Sequence, residues 1–78
     1  MLWIFERDSE SLRLETRYED DTGEFVILIH PPKGGQQVER FRDPVTFRER
    51  LEIIETQLEA DRWTQSSTTS LHEGWKIE

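Results

Sequence analysis

The sequence predicts an α+β domain: an antiparallel sheet of about four strands in meander order, with one C-terminal amphipathic helix packed on one face. Three observations carry that expectation. Residues 12–19, Leu-Arg-Leu-Glu-Thr-Arg-Tyr-Glu, alternate with period two, the pattern of a half-buried strand. Phe25, Val26, Ile27, Leu28 and Ile29 form an unbroken apolar run beyond a loop containing glycine. Phe47, Leu51, Ile54 and Leu58 then recur at helical spacing, which places them on one stripe.

Each element can be justified in order. Residues 2–6 are a short β-prone run, and residues 8–11, Asp-Ser-Glu-Ser, are a polar cluster that turns the chain. After the alternating strand comes Asp-Asp-Thr-Gly at 20–23, a four-residue loop whose glycine can take the left-handed conformation that closes a hairpin. The apolar strand ends at Pro31-Pro32-Lys33-Gly34-Gly35, because two prolines remove donors and two glycines permit positive φ. Residues 36–41 suit a fourth strand. Asp43-Pro44 announces the helix, with Asp as the capping acceptor and Pro at the first helical position, and its periodicity extends to about Trp63. The domain is therefore read as residues 1–63, with 64–78 a polar linker and mobile tail.

Pairing Glu19 with Glu24 sets Tyr18 against Phe25, Thr16 against Ile27 and Leu14 against Ile29 on one face. A turn over residues 8–11 that pairs Arg7 with Leu12 would add Phe5 opposite Leu14 and Trp3 opposite Thr16. That is the core face, beneath the helix stripe. The second face then carries Leu2, Ile4, Val26 and Leu28 astride the charged row Arg13, Glu15, Arg17 and Glu19. Val38 and Phe41 are three apart, so only one joins the core face without a bulge.

A strand that is apolar on both faces needs a cover on each. On the second face, the stems of Arg13, Glu15 and Arg17 can lie over Val26 and Leu28. The tail can fold back and place Trp75 or Ile77 there. The reading preferred here is an interface, with a second copy of the chain or another protein, because contiguous apolar surface usually marks contact. A two-fold axis through the charged row would set Arg against Glu of the second chain, as an isologous interface requires. Trp63, about 160° from Phe47 on a regular helix, and Trp75 in the tail join the candidate contact residues, since aromatic anchors dominate many interfaces. Packing of the two on each other over the helix end is the competing arrangement.

Composition narrows the rest. Seventy-eight residues make one small domain, with 17 Asp plus Glu against 10 Lys plus Arg and a net charge of −7. No run of Lys or Arg exists to neutralise phosphates, which argues against nucleic acid. Only the analogy between this fold and some single-strand DNA-binding domains keeps that alternative open. Cysteine is absent, so disulfides and thiolate metal sites are not expected, and the cytoplasm is the expected compartment. The N-terminus has no basic region followed by a long apolar one, and no apolar run is long enough to span a membrane.

Catalytic and ligand chemistry find no constellation. His30 and His72 are the only histidines and share no metal-ligand spacing. The carboxylates around Gly23 have the wrong register for a calcium loop, and Asp21-Thr22-Gly23 matches an aspartic-protease triplet only in letters. The glycine-rich loop at 31–35 links two strands and lacks the Ser or Thr of a phosphate loop. No enzyme activity, metal, cofactor or small-molecule ligand is therefore expected; a non-catalytic subunit of a larger enzyme is the remaining alternative, and a protein partner or homo-oligomer the primary one.

Overall fold

The computed structural model describes residues 1–69, so the expectations placed on Trp75 and Ile77 lie outside the described residues. Its elements run β1 (Leu2–Arg7), β2 (Glu10–Glu19), β3 (Glu24–His30), β4 (Gln37–Phe41), α1 (Pro44–Ala60) and β5 (Thr64–Thr69). The strands form one antiparallel sheet in the order β4-β3-β2-β1-β5.

The α+β architecture and antiparallel sheet are those the sequence predicts, with two corrections. The sheet has five strands, and the helix lies in the middle of the chain. It is the connection between the two edges: the chain leaves β4 on one side, crosses as α1 and returns as β5 beside β1. A helix of 17 residues spans about 25 Å, enough to cross the roughly 19 Å between β4 and β5. The stretch 64–69, read as linker, has no apolar alternation because it is an edge strand. Its β-branched threonines suit a pleated backbone without needing a buried face.

The helix also ends earlier than its periodicity suggests. Asp61 caps Ala60, and Arg62 turns the chain with φ +70°. The Trp63 amide donates to Leu58 O at 2.9 Å and the Arg62 amide to Glu59 O at 3.0 Å, the crossed pair of bonds that defines a Schellman ending. That reversal carries Trp63 off the helix and into the core. At the other end, Asp43 Oδ2 accepts from the Thr46 amide at 2.9 Å and from its hydroxyl at 2.8 Å, with Pro44 beginning the helix as expected. Those hydrogen bonds, the hydroxyl first, hold the Asp43 carboxyl below its ordinary range.

The first hairpin differs from expectation by two residues. Asp8 and Ser9 alone make the turn, with Asp8 at φ +57°, so Arg7 pairs with Glu10, Phe5 with Leu12 and Trp3 with Leu14. Positive φ is what a two-residue hairpin loop demands, and Asp tolerates it better than most residues. A shift of two leaves every side chain on its expected face. The second hairpin follows the predicted register throughout, from Glu19 with Glu24 to Leu14 with Ile29.

Phe5, Leu12, Leu14, Ile27, Ile54 and Trp63 form the buried cluster, with Phe47, Leu51 and Leu58 of the helix stripe packed against it. Phe25 stacks on Phe47 with centroids 5.0 Å apart, and Phe41 meets the same ring edge-on at 6.2 Å. Phe41 is thus the residue of β4 that joins the core, and Val38 faces the other way.

Candidate interaction surface

The second face takes its shape from the cross-strand register. Arg17, Val26 and Arg40 form one row across β2, β3 and β4. Leu2, Glu15, Leu28 and Val38 form the next, and Ile4, Arg13 and His30 the one beyond. All the candidates Leu2, Ile4, Arg13, Glu15, Arg17, Val26 and Leu28 therefore share this face, on three adjacent strands. The helix lies on the opposite side.

The apolar centre of this face is already shielded. Val26 is 0% and Leu28 6% exposed. Beside them, the Arg40 guanidinium reaches from β4 across β3: Nη1 lies 2.6 Å from Glu19 Oε1 on β2 and 3.3 Å from Glu24 Oε1 on β3. Arg40 is the direct cross-strand partner of Val26, so its aliphatic stem leaves from beside that side chain. The Glu19 hydrogen bond raises the Arg40 pKa, with smaller support from Glu24. Arg42 Nε at 3.8 Å from Glu24 Oε2 and Arg17 Nε at 4.0 Å from Glu19 Oε2 extend the lattice. These pairs stand in solvent, and their value lies in arranging charge more than in stability.

Beside Leu28, His30 Nε2 lies 3.5 Å from Glu15 Oε1 but makes no hydrogen bond, although that nitrogen is shielded from solvent. A contact of this length is electrostatic proximity only. What remains open on the face is Val38, 46% exposed, with Leu2 and Ile4 half-buried on β1 and the arginines of β2 exposed.

Trp63 is not part of this surface. It is 8% exposed in the core, and the Arg7 guanidinium lies 4.4 Å from its ring centroid. Arg7 Nη1 also donates to Asp61 O at 3.1 Å, tying β1 to the helix ending. Arg40 is a residue of this face that the sequence reading did not single out. Its signal was available: it sits two positions after Val38 on the same face, at the register where alternation would put it over β3.

Elsewhere, the partly buried Glu39 accepts twice from Arg50 across the sheet–helix contact, Nε to Oε1 at 2.8 Å and Nη2 to Oε2 at 3.0 Å. That hydrogen-bonded pair lowers the Glu39 pKa. A cleft at the helix end is lined by Phe5, Glu55, Glu59, Trp63, Thr64 and Gln65. Among the described residues, its lining holds two carboxylates and no histidine or lysine. Among the described residues, no group of three or more His, Asp or Glu is placed to hold a metal ion, and no helix is long and apolar enough to cross a membrane.

The class defined by these features is a single-layer antiparallel sheet with one covering helix and a charge-latticed opposite face. Comparisons with family models, with curated proteins and with solved structures each return no match.

Proposed function

We propose that the chain is a small protein-interaction or regulatory module that self-associates through the second face of its sheet. The observation that carries this reading is the alternating row Arg13, Glu15, Arg17 and Glu19 on β2, the middle strand of the five. Two such rows related by a two-fold axis at Thr16 oppose Arg17 with Glu15 and Arg13 with Glu19, so the row is complementary to itself. For a chain of net charge −7, that matters: most other ways of bringing two copies together oppose like charges.

Size supports the same reading. The sheet lies in the broad plane of a molecule measuring 38 × 33 × 21 Å, which accommodates the roughly 800 Å² per partner of an ordinary specific interface. Because Val26 and Leu28 are already out of water, the apolar area gained would come from Val38, Leu2 and Ile4. Such an interface has a modest apolar centre and a charged rim, and its affinity depends on salt. The cysteine-free composition suits a reducing compartment, and we place the module in the cytoplasm.

Arg17 is half exposed and its closest ion-pair contact is the 4.0 Å one to Glu19, so replacing it leaves the fold intact. Light scattering over a concentration series should give twice the chain mass for the unmodified protein and the single mass for Arg17→Glu, with the same thermal unfolding of the protomer. A protein that stays at the single mass throughout would remove the self-association reading.

A further inference from the structure

A two-fold axis at Thr16 fixes more than the β2 row. Two sheet faces packed on each other keep their strands within about 30° of alignment. An axis that lies between the faces and crosses β2 at Thr16 therefore lays β2 over β2 and β3 over β3, with the chains running in opposite directions. The cross-strand row Arg13–His30 then faces the row Glu19–Glu24 of the second copy. Arg13 meets Glu19, and His30 meets Glu24.

Within its own chain His30 has no settled partner. Nε2 is shielded from solvent and makes no hydrogen bond, with Glu15 Oε1 of β2 at 3.5 Å. Arg13, directly opposite on β2, is the cation beside it, and the row continues to the apolar Ile4 of β1. The β4 residues nearest in register, Gln37 and Val38, are uncharged. Lys33, in the loop that follows β3, lines the cleft of Arg7, Leu12 and Trp63 instead. Glu24 is held by Arg40 Nη1 at 3.3 Å and Arg42 Nε at 3.8 Å. A carboxylate has about four acceptor sites, so these two long contacts leave room for another donor.

We propose that His30 is a pH-responsive contact of the self-associated form: protonated, it places an imidazolium against Glu24 of the second copy, once on each side of the axis, and tightens the pairing as pH falls. This rests on the self-association reading and adds regulation to it. Histidine is the side chain that ordinarily changes charge between pH 5 and 8, whereas carboxylates ordinarily titrate below that range. The sign follows from the surroundings. In the single chain an imidazolium lies between Glu15 and Arg13; in the pair it gains Glu24, while Arg13 turns to Glu19 of the second copy. Arg40 and Arg42 accompany Glu24 and oppose the gain. Arg40, however, is held closer to Glu19, at 2.6 Å, and Arg42 stands in solvent, so Glu24 is the charge that His30 meets. Each protonation also removes one unit from a net charge of −7 that opposes the approach of two copies.

Sedimentation equilibrium of the full chain between about pH 8 and about pH 5.5, at constant ionic strength, tests it. The dissociation constant of the unmodified chain should fall about fivefold on acidification, as two modest ion pairs would give. His30→Gln should lose that response and His72→Gln should keep it. His30→Lys, charged at every pH in the range, should associate at pH 8 as tightly as the unmodified chain does at pH 5.5. Association that is unchanged or weaker at the lower pH, an undiminished response in His30→Gln, or a His30→Lys chain no tighter at pH 8 than the unmodified one would each overturn the role of His30 and leave self-association standing. A single mass for the unmodified chain at both pH values would overturn both.

Discussion

Arg62 and Asp8 are the non-glycine residues held at positive φ among the described residues, at +70° and +57°. Asp8 suits its site, because Asp visits the left-handed region more readily than most. Arg62 does not, and a left-handed L-residue carries about 1–2 kcal/mol of strain. Arg62→Gly removes that strain and gives back about 0.5–1 kcal/mol through the greater freedom of the unfolded chain. The net expectation is a rise in melting temperature of roughly a few degrees, read by calorimetry; an unchanged or lower value would mean that Arg62 makes a compensating contact. Glu55 offers a second residue-scale test. Burial, then repulsion from Glu59 and Glu52, raises its pKa, so the folded state disfavours its charge. Its contribution to stability is present below the unfolded value of about 4.3 and is lost as pH rises through the raised folded value. Glu55→Gln should therefore raise the melting temperature at pH 7 and make no difference below about pH 4. Glu39 and Asp43 act in the opposite sense: their lowered values stabilise at neutral pH and lose that contribution as pH falls through the depressed folded values.

At the scale of elements, the β2–β3 hairpin shows how much a local pattern can specify. The loop length, Gly23 and the alternation of β2 all demand one register, and the chain adopts it. A Cβ at position 23 would meet only the Tyr18 hydroxyl at 3.8 Å, an ordinary contact. Gly23→Ala is thus expected to cost about 1–2 kcal/mol through backbone conformation alone, measurable by urea unfolding, and Gly23→Asn less, because Asn tolerates positive φ. The β1–β2 turn was less legible: Asp-Ser-Glu-Ser contains a two-residue and a four-residue solution with the same face parity, and hydrophobicity cannot choose between registers that differ by two. β5 was illegible for a related reason. A strand made only of Thr, Gln and Ser carries no apolar periodicity to mark it, and its pairing with β1 follows from where the helix delivers the chain. The helix end was misplaced because the reversal at Arg62 depends on backbone geometry with no glycine to announce it; the position of Trp63 off the apolar stripe was the one sign of it.

At the scale of the whole molecule, a helix bridging two sheet edges covers one face and leaves the other to charged side chains. The identity of the second-face residues on β1, β2 and β3 could be read from alternation alone; the reach of Arg40 across β3 to Glu19 could not, because β4, which carries it, has no apolar pattern that fixes its register. This makes the surface a charge-balanced panel over a closed apolar centre, and its central claim is that the β2 row is complementary to itself. The most direct measurement mixes two single variants. Glu15→Arg and Arg17→Glu each place like charges across the proposed two-fold axis, so each alone should sediment as a single chain. Mixed in equal amounts, they restore opposite charges on both sides of the axis: the two introduced side chains face each other, and the retained Arg17 of one chain faces the retained Glu15 of the other. Sedimentation equilibrium of the mixture should then show twice the chain mass, weakening with added salt. A mixture that stays at the single mass, while the unmodified chain associates, would contradict the two-fold pairing of the β2 row.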